Sequence, residues 1–538
     1  MQIKYDKKRF KQAERYLKSR KRINNAVFFK KLKPSYYFTA YDICEILNIS
    51  PLTVKNIDKL GTFSGIAPAT YLFSEGCLLA VKLNTDRPQK HKINYEIFEG
   101  LHRKEFFQKI KADGSDLSNH ERIQAIADLC YKQNVKAFLT TEQIGDYPCF
   151  IVDNVCDALY DIFLSIRDSL NNLKRCVCVT GSIGKTTTKS MVECIYKNEC
   201  FTYANRRNNN TINGAMSALQ YAPHNTECYI QEIHEGTPGS CQAMSYLVKP
   251  NIAVITNIGF SHLSAFKSKD ELVSEFADIT RGMPDDGVVV INGDDENLKN
   301  INWNRRVVTV AFNNPHADYR AENIVSTKDS VTFEAVHGTK RTSVKLYSPG
   351  KHNVIDALLA FAAADTDGVP TKKIVEGLGN YRPEGVRQNI LNVSGVTLML
   401  DCYNAAPDSM KSAVDTLMEL ECKHGHKRIA IIGDMNELGD DSDNLHAETG
   451  EYIAKSGIDT LIVYGTKCDA YLNRIKDCNI EIYKTDNRNE LVKYMRKHVH
   501  RGDVLLVKSS HSLYLANIVS KRFPFSLSLF KARIQSLE

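Results

Sequence analysis

From residue 173 onward, short apolar runs bounded by polar turns alternate with stretches in which the apolar positions adopt a helical spacing. RCVCVTG, ECYIQEI, NIAVITNIG and GVVVIN are such runs, each closed by a polar or glycine-bearing turn. Strands alternating with helices in this way make βαβ units and predict an α/β fold, a parallel sheet with helices on both faces. Between 305 and 347 the segments VVTVAF, VTFEAV and TSVKLY alternate on a shorter period and predict an antiparallel addition. GKHNVIDALLAFAAADTDGVP reads as a helix closed by Gly368 and Pro370. From about 389 the first rhythm returns in VTLMLD, RIAIIGD, TLIVYG and DVLLVK, predicting a second, smaller α/β unit. The expected organisation is a leader helix over 1–40 and three domains over 41–172, 173–388 and 389–538. Two α/β units in one chain place the expected site in the cleft between them, where strand C-termini deliver their loops.

A length of 538 residues agrees with several cores rather than one. Hydrophobic residues at 43% and charged residues at 25% are ordinary for a globular protein. The net charge of +7 is concentrated in the first 34 residues, with thirteen Lys or Arg against two acidic groups. No aromatic-rich basic face recurs, so the leader reads as a solvated helix and no nucleic-acid partner is expected. Fifteen cysteines contain no C-x-x-C pair, and Cys176 and Cys178 alternate along a buried strand as small apolar residues. That usage argues against a disulfide framework or zinc site and for a reducing, cytoplasmic setting. No secretory or bilayer-length apolar run is present.

The candidate chemistry begins at VCVTGSIGKTTTKSM, residues 177–191. A strand feeding a glycine-containing loop and then a helix directs several backbone N–H groups at one point, where the helix dipole also favours an anion. Gly181 and Gly184 let backbone approach a phosphate closely. Lys185 is placed to reach β- and γ-phosphates, and Thr186 to hold Mg²⁺ through its hydroxyl. The strict G-x-x-x-x-G-K-[ST] pattern has glycine where this chain has Val179.

TGSIGKTT resembles the shortened phosphate loop of the Mur ligases, T-G-T-x-G-K-T-[TS]. The likeness runs in order through roughly 175–520 and implies the family's three-domain architecture. That architecture has an N-terminal acceptor domain, a central P-loop ATPase-like parallel sheet and a C-terminal Rossmann-like domain. The resemblance implies ATP contacts from Thr180, Gly181, Ser182, Ile183, Gly184, Lys185, Thr186 and Thr187. NNNTINGAMSAL supplies Asn209 and Asn210 on the substrate side, and YIQEIHEGTPGS supplies Glu232 as a Mg²⁺ ligand, with His234 where glycine is usual. VITNIGFSHLSAF implies His262 as a further metal ligand. VVVINGDDENL matches N-x-D-D, though Asp294 and Asp295 are read as turn builders outside the site.

GKHNVIDALLA places Asn353 near the adenine, with Asp356 where the family has a second asparagine, and YRPEGVRQ makes Arg387 the phosphate arginine. In the C-terminal unit DCYNAAPDSM implies a nucleotide contact from Asp401 and substrate contacts from Tyr403 and Asn404. IIGDMNELGDDSDNLH matches the G-D-M-x-E-L-G…H segment, and DVLLVKSSHSLYL supplies Lys508 and Ser510.

The resemblance implies an ATP- and Mg²⁺-dependent carboxylate–amine ligase. Its substrates would be small molecules, and the pattern stands nearest the members that add D-alanyl-D-alanine to UDP-N-acetylmuramoyl-tripeptide. ATP would phosphorylate the acceptor carboxylate, and the amine would then displace phosphate from the acyl phosphate. Lys185, Glu232, His262 and Arg387 would carry the charge-neutralising work. Two alternatives stay open: a Mur-like ligase with another carboxylate and amine, and an ATP-binding relative with impaired catalysis. Phe276 stands where the family carries a carbamylated lysine, and Glu275 or Asp278 are the neighbours that could substitute. Ala406 and His511 depart from the family on the amine side, and Ala69 and Tyr71 replace its aspartate and arginine in the acceptor domain. A monomer is expected.

Overall fold

A computed structural model describes Lys11 and residues 36–69, 75–81, 88–90, 118–206, 209–259, 265–327, 329–383, 387–436, 438–475 and 478–523. The leader as far as residue 35, Lys11 excepted, lies outside these residues, as do Thr70, Tyr71 and His262.

The N-terminal sheet is small and parallel, with β1 (Ile66–Ala67), β2 (Leu78–Ala80), β3 (Ala137–Thr140) and β4 (Cys149–Ile151) in spatial order. Its edge is joined to the next unit: the Gln220 side-chain amide accepts from Ile66 N at 3.0 Å and donates to Ile66 O at 3.1 Å. Both backbone groups of an edge residue are thereby satisfied by one side chain. Helix Val155–Asp168 lies across the same junction, with Tyr160 Oη donating to Ala243 O and Arg167 Nε to Val248 O.

The central sheet follows in nine strands. These are β5 (Arg175–Thr180), β6 (Thr202–Ala204), β7 (Cys228–Glu232), β8 (Ile252–Ile255), β9 (Val288–Asn292), β10 (Arg306–Ala311), β11 (Tyr319–Ser326), β12 (Val331–His337) and β13 (Lys340–Leu346). Their spatial order is β13-β12-β11-β10-β9-β8-β5-β7-β6. Strands β5, β7 and β8 are fully buried except at Arg175, as parallel strands covered on both faces must be. The chain leaves β5 for β6 and β7 on one side, then crosses to β8 on the other, so β5 stands at the switch point where ligands bind.

The antiparallel addition is present as β11, β12 and β13. VVTVAF does not belong to it. It forms β10, which pairs parallel with β9 over five residues and with β11 over two. Its alternation comes from a strand with one half-exposed face, burial running exposed, exposed, buried, half, buried, buried. Helix His352–Thr366 then packs behind the sheet, and the chain turns at Gly368 with φ +81°.

The C-terminal sheet contains β14 (Asn389–Val393), β15 (Val396–Asp401), β16 (Arg428–Gly433), β17 (Thr460–Tyr464), β18 (Glu481–Thr485) and β19 (Val504–Lys508), ordered β14-β15-β19-β16-β17-β18. All pairs except β14/β15 are parallel. Their C-terminal ends face the C-terminal ends of β5 and β7 across a cleft of about 450 Å³. No helix among the described residues is long and apolar enough to cross a membrane.

Candidate active site

The loop after β5 is built around two glycines that no other residue can replace. Gly181 has φ +134°, and a Cβ there would stand 1.9 Å from Thr256 Oγ1 and 2.9 Å from Thr256 N. Gly184 has φ +86° and caps helix Lys185–Lys197, and a Cβ there would stand 2.4 Å from Asp356 Oδ1. The β8 loop braces the turn: Ser182 N donates to Asn257 O, Ile183 N to Asn257 Oδ1 at 3.1 Å, and Gly259 N to Ser182 Oγ. The result is a preformed cradle, open to an anion and too tight for a side chain of its own.

Beside it lies a pair of oxygens suited to a divalent cation. Thr186 Oγ1 donates to Glu232 Oε2 at 2.8 Å, and Asn210 Nδ2 donates to Glu232 Oε1 at 3.0 Å. Glu232 closes β7 with its backbone N–H donating to Asn205 Oδ1, while its carboxylate, held by the Thr186 and Asn210 side chains, sits in a residue only 1% exposed. A hydroxyl and a carboxylate at the mouth of a phosphate loop fit Mg²⁺ by donor chemistry.

The opposite lip comes from the C-terminal sheet. Asp401 and Lys508 end adjacent parallel strands in register, and Lys508 Nζ donates to Asp401 Oδ2 at 2.6 Å and to Asn404 O at 3.0 Å. The Arg387 guanidinium lies 3.5 Å above the Tyr403 ring. Ser510 Oγ accepts from Asn436 N, and Asn436 Nδ2 donates to Ser512 Oγ. Burial raises the Tyr403 phenol, which Arg387 opposes.

Of the residues predicted from sequence, the cleft collects Ser182, Ile183, Gly184, Lys185, Thr186, Thr187, Asn210, Glu232, Arg387, Asp401, Tyr403, Asn404, Lys508 and Ser510. Others stand behind it. Thr180 is fully buried and donates to Ile233 O, and the Asn209 backbone carbonyl accepts from the Asn205 and Gln231 side chains. Asn353 faces away: 1% exposed, it donates to Ser348 Oγ and Pro349 O and ties down the turn before its helix. The neighbours His352 and Asp356 line the cleft instead.

The candidates for the missing lysine are also engaged elsewhere. Phe276 is fully buried in the core. Glu275 accepts from Gly239 N, Cys241 N and Ser240 Oγ at the start of helix Ser240–Val248, and Asp278 pairs with Arg281. Asp294 and Asp295 are turn builders, accepting backbone N–H groups at 312–314 and at Ile258 and 297–298. His446 of the G-D-M…H segment is structural: buried with its pKa lowered by that burial, it donates from Nδ1 to Ser442 O and accepts Met435 N at Nε2.

Glu235, which pairs with Lys185 at 2.7 Å, and the cleft-lining Gln388 and Asn436 are not among the residues predicted from sequence. Glu235 could have been flagged as a second carboxylate three residues beyond Glu232.

Two family models match in chain order, the Mur ligase middle domain over residues 179–364 and the Mur ligase, glutamate ligase domain over 386–511. The UDP-N-acetylmuramoyl-tripeptide–D-alanyl-D-alanine ligase of Escherichia coli is 30% identical over 334 residues, covering 60% of this chain and 72% of the relative. The chain belongs to the Mur ligase family. As a Mur ligase it is an ATP-dependent carboxylate–amine ligase. The Bacillus subtilis ligase of the same name is 28% identical over 417 residues, with 75% of this chain and 88% of the relative covered.

The crystal structure of MurF from Acinetobacter baumannii superposes with a TM-score of 0.74 at 20% identity, covering 91% of this chain and all of that one. A MurF ligase from Thermotoga maritima, solved in complex with ADP, gives 0.67 at 23% identity, over 77% and 93%. Both share the fold of this Mur ligase, including its central and C-terminal α/β units.

Proposed function

We propose that this Mur ligase adds D-alanyl-D-alanine to UDP-N-acetylmuramoyl-tripeptide, in the cytoplasm and as a monomer, with Mg²⁺ held by Thr186 and Glu232. The relatives whose names carry this reaction support the substrates. The observation that carries the catalytic reading is the cleft itself, where one chain brings the glycine cradle and the Thr186–Glu232 pair opposite Arg387, Asp401 and Lys508.

Amide formation from a carboxylate is uphill in water until an oxygen is made a leaving group. The N–H groups at the start of helix Lys185–Lys197 and the Lys185 ammonium would hold the β- and γ-phosphates of ATP, and Arg387, leaving Tyr403, would meet charge on the transferring group. Mg²⁺ at Thr186 and Glu232 would supply further screening of phosphate charge. The acceptor carboxylate enters beside Asn210, and the amine arrives from the lip of Tyr403, Asn404 and Ser510. Closure of the two units would exclude water that otherwise hydrolyses the acyl phosphate.

The test is phosphate release from ATP across a panel of acceptors and amines. Release is expected with UDP-N-acetylmuramoyl-tripeptide and D-alanyl-D-alanine together and with neither alone. Equal or faster release with a different carboxylate or amine would reject the assigned substrates.

A further inference from the structure

The ammonium of Lys185 is fully engaged within the protein. It donates to the Gly181 carbonyl, to Glu235 Oε1 at 2.7 Å and, at 3.4 Å, to the Ser182 carbonyl. Three N–H donors thus meet three acceptors. The Glu235 side chain is wholly buried and that of Lys185 is 12% exposed, so this is no solvated surface pair. Glu235 lies in the turn after β7, three residues beyond Glu232, and the two carboxylates divide the loop between them. Glu232 takes the Thr186 hydroxyl, and Glu235 takes the Lys185 ammonium.

A buried carboxylate that loses its cation is strongly penalised. Lys185 therefore cannot turn wholly toward a phosphate without cost, because Glu235 competes for it. The carboxylate also fixes the long lysine side chain at the mouth of the loop, removing rotamer freedom that a free lysine would lose on binding.

We infer that Glu235 is a positioning residue for Lys185, holding its ammonium in place for the terminal phosphates at the expense of nucleotide affinity. The inference rests on the reading that Lys185 meets those phosphates, and it adds a residue that opposes tight binding while supporting transfer.

The experiment measures ATP affinity by calorimetry and turnover by phosphate release on the full chain carrying Glu235→Gln, which keeps the shape and an acceptor oxygen but removes the charge. The expected result is a split: ATP binds tighter, on the order of tenfold, while kcat falls by a similar factor. Glu235→Asp, with charge retained and reach shortened, should lie between wild type and Glu235→Gln on both axes. A purely structural role would weaken binding and turnover together as the melting temperature falls. Unchanged or weaker ATP binding in Glu235→Gln overturns the inference. If that variant does not fold, Glu235→Asp decides alone: tighter binding with slower turnover supports the inference, and unchanged or weaker binding overturns it. Lys185→Ala separates the underlying reading, since normal ATP affinity there would sink both.

Discussion

Asp401 and Lys508 are register partners at the C-terminal ends of adjacent parallel strands, and their side chains meet at 2.6 Å in a buried pair. The sheet alone makes them neighbours, because parallel register sets one strand end beside the other. Removing one partner leaves an uncompensated charge in a low dielectric, at a cost of about 3–5 kcal/mol. Lys508→Met is therefore predicted to lower unfolding free energy by that order, while the double variant Lys508→Met/Asp401→Leu recovers much of it. Denaturant titration of the three proteins checks this, and additive losses would show that the two groups do not act as a pair.

Lys185→Ala is predicted to reduce turnover by about 10²–10³-fold, the usual loss for one well-placed charge at a developing anion. Steady-state phosphate release measures it. Near-normal kcat would remove the loop from the chemistry.

Gly184→Ala forces a Cβ into the Asp356 carboxylate at a residue with φ +86°, and Gly181→Ala strikes Thr256 in the same way. Both variants should lose ATP binding, because the cradle must open to admit the methyl group. A calorimetric titration showing wild-type affinity in either would mean that the loop is not shaped for phosphate.

Asp356 titrates unusually. Burial pushes its carboxyl up to about 8, against the opposing hydrogen bond from Thr188 Oγ1. Its folded value is raised above the unfolded one, so the neutral acid favours folding at low pH. That contribution declines as pH climbs past the ordinary carboxylate range and is gone above about 8. The charge that appears lies beside Gly184, where phosphates would bind. ATP affinity should therefore fall as pH rises through about 8, and Asp356→Asn should flatten the profile and bind more tightly at high pH. An Asp356→Asn profile that falls like wild type would contradict this.

Glu232→Gln is predicted to raise the Mg²⁺ concentration needed for half-maximal turnover by at least about tenfold, since a charged oxygen ligand is lost beside the Thr186 hydroxyl. A Mg²⁺ titration of phosphate release provides the check. Superimposable curves would place the ion elsewhere.

The long parallel strands were legible because burial on both faces leaves continuous apolar runs, as in β5, β8, β16 and β19. The N-terminal sheet was not, since strands such as Ile66–Ala67 and Leu78–Ala80 are too short to display a period. VVTVAF misled because a half-exposed parallel strand alternates much as an antiparallel one does. The loop could be named from its strand–glycine–helix pattern, whereas Glu232 and Arg387 are named only through the family resemblance. Asn353 points away from the cleft because the turn before its helix claims its amide, a demand that spacing cannot reveal. Asp356 stands in GKHNVIDALLA and Glu235 three residues past Glu232, but what each does follows from its tertiary contact with Gly184 or Lys185.

In the proposed reaction the terminal phosphoryl group of ATP passes to the acceptor carboxylate before nitrogen attacks. Turnover with acceptor labelled by ¹⁸O in that carboxylate, followed by mass spectrometry of the released phosphate, reads it directly. Each phosphate formed from doubly labelled acceptor is predicted to carry one ¹⁸O, the oxygen that bridged carbon and phosphorus in the acyl phosphate. Unlabelled phosphate released alongside amide product would contradict it.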